Sequence, residues 1–224
     1  MAPALDRGRP APAGTSLVYR SARGYELVMR ILYGRHYGAR LRAVADQVPP
    51  GRSVLELCPG PGALYERHLH DRVSVYTGAD VNPGFVARLR RLGAEAIELD
   101  LTGPEPLPVA DVVIMQASLY HFLPGAEIVL ERMLAAARER VIIAEPIRNL
   151  SSSRVPSLAA LGRRGTDPGG AAGHEQRFDE AALDRLMAPY AAATVTAFTI
   201  PGGREKVFVL DPRRARRSRT ADDP

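Results

Sequence analysis

The chain reads as an α/β protein with a mostly parallel sheet, helices on both faces and an antiparallel hairpin at its end. Three observations predict this. Strand-like apolar runs alternate with helical stretches from residue 53 to residue 146. The first run, SVLELCPGPG (residues 53–62), carries Glu56 straight into a turn holding Gly60 and Gly62. A glycine turn at the carboxyl end of a first strand is where such sheets bind nucleotide-like ligands. The last two runs, TVTAFTI and KVFVL, flank Pro201-Gly202-Gly203, a hairpin signal.

The elements follow in order. From Tyr25 to Val48, Leu27, Ile31, Leu41, Val44 and Val48 recur at helical spacing, interrupted by Gly34 and Gly38. This predicts one kinked helix or two, within an N-terminal helical cap over 17–50. After the first strand, Pro59 and Pro61 stiffen the glycine turn and a helix is expected over 62–71. VSVYTGAD is a second strand ending at Asp80, and Asn82-Pro83 starts a helix over 83–92. AIELD ends a third strand at Asp100, and ADVVIMQ ends a fourth at Gln116. A helix over 124–137 precedes RVIIAEP (residues 140–146), a fifth strand closing with Glu145. Residues 162–173 hold five glycines and a proline, so 162–175 reads as a loop and a candidate substrate lid. Phe178 to Met187 is a further helix with Asp179, Glu180 and Asp184 on its polar side.

Composition excludes several classes. With 224 residues, 46% of them hydrophobic, the chain fits a single domain over 17–211 with tails at 1–16 and 212–224. The lone cysteine, Cys58, rules out an internal disulfide, and no residue set resembles a metal framework. Residues 1–16 carry proline and charge where a signal peptide needs an apolar segment, and no run approaches ~20 apolar residues. A cytoplasmic protein without membrane contact is expected. Of the formal charge of +5, residues 1–16 and 211–224 supply +3. The cluster Arg213-Arg214-Ala215-Arg216-Arg217 has no interleaved aromatics, so it reads as a disordered basic tail and no nucleic-acid partner is expected.

Glu56 decides what the glycine turn holds. A carboxylate just before the turn would repel a pyrophosphate, whereas a cationic ligand would be favoured. On Glu56-Leu57-Cys58-Pro59-Gly60-Pro61-Gly62, with Asp80, Asp100 and Gln116 ending the later strands, the chain resembles the class I S-adenosylmethionine-dependent methyltransferases. Their first motif is acidic-x-Gly-x-Gly-x-Gly, so Cys58 stands where the first glycine usually falls. The resemblance runs from about Tyr25 to Leu210. It implies a Rossmann-like class I methyltransferase fold, with a seven-stranded sheet whose last strand is antiparallel, and S-adenosyl-L-methionine as cofactor. It places Glu56, Cys58, Gly60 and Gly62 in the first motif. Asp80, with Val81 beside it, falls at the ribose, Asp100 and Leu101 near the adenine, and Gln116 at the methionine part and the substrate.

Methyl transfer needs alignment and excluded solvent more than a strong acid or base. If the acceptor loses a proton, the candidates to take it are His121, Glu145, His174 and the tyrosines Tyr19, Tyr33 and Tyr37. Each has a plainer reading: His121 as a packed histidine at a helix start, Glu145 as a partner of Arg148, His174 as an exposed loop residue, the tyrosines as core. Cys58 reads as buried, with nothing basic beside it to make it nucleophilic. Gln116-Ala117-Ser118-Leu119 lacks the Asn/Asp-Pro-Pro-Tyr/Phe sequence of enzymes that methylate base amines or glutamine amides. A small-molecule acceptor methylated at O, N or C, in secondary metabolism, is the remaining expectation, for a monomer or homodimer. Two rivals stay open. One is an NAD(P)-dependent Rossmann oxidoreductase, against which Tyr65 stands where a small residue is required. The other is a non-catalytic S-adenosylmethionine-binding protein.

Overall fold

The computed structural model describes residue 30, residues 34–148 and residues 177–221, with side chains to residue 217. The expected tail 1–16, the loop 162–175 with His174, and Tyr19 and Tyr33 lie outside the described residues.

The central strands form because their apolar runs are covered on both faces, as parallel strands require. They are β1 (Ser53–Leu57), β2 (Val75–Asp80), β3 (Glu95–Glu98), β4 (Ala110–Gln116) and β5 (Ala137–Pro146). β6 (Thr194–Thr199) alternates half-buried and exposed positions, as suits an edge strand. β7 (Glu205–Leu210) is buried and runs antiparallel to both β5 and β6. The seven strands have the order β3-β2-β1-β4-β5-β7-β6. Strand order therefore reverses between β1 and β4, and the crevice at their carboxyl ends is the place where an α/β sheet holds a ligand.

Alternation divides the core. Leu55, Leu57, Val113, Met115 and Ile143 face one side, against α3 (Ala126–Ala136) and α4 (Glu180–Met187). Val54, Val112, Ile114 and Ile142 face the other, against α1 (Tyr37–Ala45) and Leu89 of α2 (Pro83–Arg91). The same alternation sends Glu56, Gln116 and Glu205 to the α1 side and Glu145 to the α3 side. At α2, Asn82 accepts a hydrogen bond from the Gly84 N–H at 2.9 Å and Pro83 opens the helix, as expected of this pair.

Four expectations change. Gly38 lies inside α1 and does not interrupt it. Gly34, whose φ of +52° suits glycine, instead opens the short 3-10 turn Gly34–His36 that leads into α1. The helix expected over 62–71 is mostly a single wide π turn, Tyr65–Leu69, with Tyr65 packed on Tyr76 at a ring separation of 4.3 Å. The fifth strand begins at Ala137, three residues earlier than its apolar run. The disordered tail expected from residue 212 is instead a helix, α5 (Pro212–Ala221). Ala215 is buried against the body and the Arg216 guanidinium donates to the Leu134 carbonyl at 3.2 Å. Helix-forming arginines, with Pro212 and Ala215 buried at the contact, are enough for this docking, although no apolar stripe announces it.

Candidate active site

The turn after β1 is bent sharply. Cys58, Gly60 and Gly62 have φ of +53°, +57° and +80°. A glycine takes such a φ without penalty, and Cys58 holds it at a cost of about 1–2 kcal/mol. The Cys58 N–H donates to the Ala79 carbonyl at 2.8 Å, which keeps the turn against β2. At Gly62 a Cβ would stand 2.5 Å from Leu89 Cδ2, so this glycine lets α2 pack close. Arg88 of α2 secures the same turn, donating to the Pro61 carbonyl and to Glu66, each at 2.9 Å.

Asp80 ties the second strand to the turn. Its Oδ2 accepts from the Gly60 N–H at 3.0 Å and its Oδ1 from the Asn82 N–H at 2.9 Å. Burial pushes its pKa up to about 6, against the lowering effect of those two N–H groups. A carboxylate accepts up to about four hydrogen bonds, so capacity remains for ligand hydroxyls. Val81, beside it, is 58% exposed and offers an apolar surface at the same edge.

A cleft opens between α1 and the turn, lined by Tyr37, Arg40, Glu56, Cys58, Pro59 and Gln116 among others. Glu56 is 3% exposed, and its Oε2 accepts from the Tyr76 hydroxyl at 2.6 Å. Burial raises its pKa to about 7, opposed by the Tyr76 hydrogen bond and the Arg40 charge. Burial also pushes the Cys58 thiol up, reinforced by Asp80, Glu145 and Glu56, so it is no thiolate nucleophile. Gln116 donates from Nε2 to Glu205 Oε1 at 2.7 Å and to the Arg40 carbonyl at 3.4 Å.

On the other face, Glu145 meets the start of the short helix that carries His121. Glu145 is fully buried, and its Oε1 accepts from the Ser118 and Leu119 N–H groups at 2.8 and 2.7 Å. These groups open the short 3-10 helix Leu119–Phe122, which carries His121. Burial, and after it the nearby Glu205 charge, raise the Glu145 pKa to about 8 against the lowering by those N–H groups. Its Oε2 is buried without a partner. The expected pairing with Arg148 is therefore replaced by a backbone anchor. Ala117, at φ +53°, makes the bend between β4 and this helix, with its N–H on the Ala144 carbonyl at 2.7 Å. His121 stacks on Tyr120 at 4.0 Å.

Asp100 lies just past β3. Its Oδ1 accepts from the Thr102 N–H and hydroxyl at 2.9 and 2.7 Å, a local turn, with Leu101 buried behind it. Sequence reasoning missed Arg40, Glu205 and Tyr76, which partner the cleft residues. Only Tyr76 had a legible signal, as it sits two strand positions beyond Ser74 in a run that alternates toward the Glu56 face. Among the described residues no group of His, Cys, Asp and Glu could hold a metal, and no helix is long and apolar enough to cross a membrane.

Strand order, antiparallel β7 and the glycine turn at the β1–β4 switch define the class I methyltransferase fold. Solved structures share it. The magnesium protoporphyrin IX methyltransferase ChlM from Synechocystis PCC 6803 with bound SAH is 15% identical, with 86% of this chain and 95% of that one covered and a TM-score of 0.60. A DhpI–SAH complex is 19% identical over 86% of this chain and 92% of that one, with a TM-score of 0.64. The N-methyltransferase NodS from Bradyrhizobium japonicum WM9 with S-adenosyl-L-homocysteine is 15% identical over 87% and 89%, with a TM-score of 0.52. No family model matches the chain, and no curated protein does.

Proposed function

We propose that this protein is an S-adenosylmethionine-dependent methyltransferase acting on a small molecule. One observation carries the reading: the cleft at the switch point places the buried Glu56 carboxyl and the Gln116 amide beside the glycine turn. That donor set fits the cofactor. The Tyr76 hydroxyl occupies Glu56 Oε2, which leaves Oε1 to accept from an α-ammonium group, and Asp80 at the next strand end is placed for ribose hydroxyls. A pyrophosphate would meet the same carboxyl as repulsion, and Tyr65, packed on Tyr76, fills the space a dinucleotide turn keeps small.

When bound, S-adenosylmethionine supplies a methyl group on a positively charged sulfur, open to in-line displacement. The chain's residues bind, orient and shield. Glu56, Gln116, Asp80 and the turn Cys58, Gly60 and Gly62 hold the cofactor, with Val81, Asp100 and Leu101 at its adenosine end. Low-dielectric walls sharpen their electrostatic preference for a cation. On the acceptor side, Glu145 Oε1 anchors the amides of Ser118 and Leu119 and so holds the helix that carries His121. If the acceptor loses a proton as the methyl arrives, His121 on that helix and Tyr37 lining the cleft are the described candidates to take it. Glu145, without exposed surface, serves by holding that helix in place. The other assigned acceptor residue, His174, belongs to the sequence reading alone.

A small acceptor accords with the neighbouring folds, whose named examples include a protoporphyrin methyltransferase and an O-methyltransferase in complex with apigenin. Turnover of radiolabelled S-adenosylmethionine with a panel of small phenols, amines and carboxylic acids tests the reading. Cofactor binding with no transfer to any acceptor class would favour a binding protein instead.

A further inference from the structure

Glu205 begins β7, 89 residues beyond Gln116 and 165 beyond Arg40, and it meets both in the folded chain. Its Oε2 accepts from Arg40 Nε and its Oε1 from Gln116 Nε2, each at 2.7 Å, and it has no exposed surface. Register brings the three together. Gln116 pairs with Ala144, and Ala144 with Val207, so Glu205 projects from the same sheet face two residues before Val207.

A carboxylate paired with a guanidinium can only accept hydrogen bonds. The Gln116 NH2 must therefore face Glu205, and its second hydrogen faces the Arg40 carbonyl at 3.4 Å. Turning the amide over would set its oxygen against two acceptors. Gln116 Oε1 is thereby left toward the cleft that Gln116 lines with Glu56. Arg40, buried at 4% exposure, lines the same cleft, and the Glu205 charge neutralises it there. Without that charge Arg40 would compete for Glu56 and oppose a cationic ligand. Buried ion pairs add little stability compared with apolar side chains of the same volume, so packing alone gives no reason for one beside this cleft.

We propose that Glu205 is a positioning residue: it aims the Gln116 amide and neutralises Arg40, so that the cleft offers acceptors to the amino-acid end of S-adenosylmethionine. This rests on the cofactor reading above and goes beyond it by assigning selectivity for the amino-acid end to a residue on β7.

Calorimetric titration with S-adenosylhomocysteine and with 5′-methylthioadenosine, which lacks the amino-acid portion, tests it. In Glu205→Gln, a glutamine can donate to Gln116 Oε1 and let the amide turn over. The expected result is a loss of about 10–100-fold for S-adenosylhomocysteine and less than about twofold for 5′-methylthioadenosine. Gln116→Leu should show the same selective loss, and the double variant should lose no more than either single one. Equal losses for both ligands, or S-adenosylhomocysteine affinity kept within about twofold, overturn the proposal. If Glu205→Gln does not fold, Gln116→Leu decides alone, and an unchanged ratio of the two affinities overturns it. An unaltered protein that binds neither ligand overturns the cofactor reading and the proposal together.

Discussion

Replacing Glu145 by Gln should change how stability depends on pH more than it changes stability at any one pH. The carboxyl has no exposed surface, and its pKa lies at about 8 in the folded chain against an ordinary 4.5. Because the folded value is the higher one, the native state holds its proton more tightly. The stabilisation is complete below the unfolded value and is lost as pH rises from there through about 8. Each pKa step is worth about 1.4 kcal/mol, so between pH ~5.5 and ~9 this group should remove roughly 3 kcal/mol of stability. A glutamine keeps an oxygen for the Ser118 and Leu119 N–H groups but places an NH2 where Oε2 is already unpartnered. That amide costs about 1–3 kcal/mol at all pH values. The stability of Glu145→Gln relative to the unaltered protein should therefore rise by roughly 3 kcal/mol from pH ~5.5 to ~9, so that it equals or exceeds the unaltered protein at pH ~9. Urea unfolding at both pH values, followed by circular dichroism, measures this. Parallel pH profiles for the two proteins would refute the buried, proton-holding carboxyl.

Other perturbations have equally definite outcomes. Glu56 has a pKa of about 7, and an ammonium group favours its ionised form, so affinity for S-adenosylhomocysteine should rise about tenfold from pH ~6 to ~8. A flat calorimetric profile over that range would remove Glu56 from the contact. Asp80→Ala should weaken the same binding by about 1.5–3 kcal/mol, through lost ribose contacts and release of the Gly60 N–H. An unchanged dissociation constant would place the ribose elsewhere. Deleting residues 212–224 removes the buried Ala215 and the Arg216 contact, and should lower the melting temperature by about 2–5 °C. Cofactor affinity should hold, because Leu210, which leads into α5, pairs with Val141 at the opposite end of the sheet from the glycine turn. An unaltered melting temperature would show that α5 is not docked.

Much of the fold was legible because parallel strands covered on both faces are written as apolar runs, and four of these runs carry a polar residue last or next to last at the ligand edge: Glu56, Asp80, Gln116 and Glu145. The glycine turn was legible for the same physical reason that it works, since a positive φ at Gly60 and Gly62 and the close packing of Gly62 on Leu89 favour the absence of a Cβ. Other features depend on contacts that sequence distance hides. Arg40 reads as the polar side of a helix until register brings Glu205 to it from across the sheet. Glu145 reads as a proton acceptor or a partner of Arg148 at a strand end, yet the bend at Ala117 folds the Ser118 and Leu119 amides over it. The helix α5 has almost no apolar pattern, because only Pro212 and Ala215 of its described side chains are buried and its arginines at 213, 214, 216 and 217 are exposed.

The central claim is that the cleft beside the glycine turn takes a cationic amino-acid nucleoside. Isothermal titration of the unaltered chain with S-adenosylhomocysteine and, separately, with NAD tests it most directly. Binding of S-adenosylhomocysteine with a dissociation constant on the order of micromolar, and at least about a hundredfold weaker binding of NAD, is the predicted result. Comparable affinity for NAD would contradict it, since the buried Glu56 carboxyl could not then be what faces the ligand.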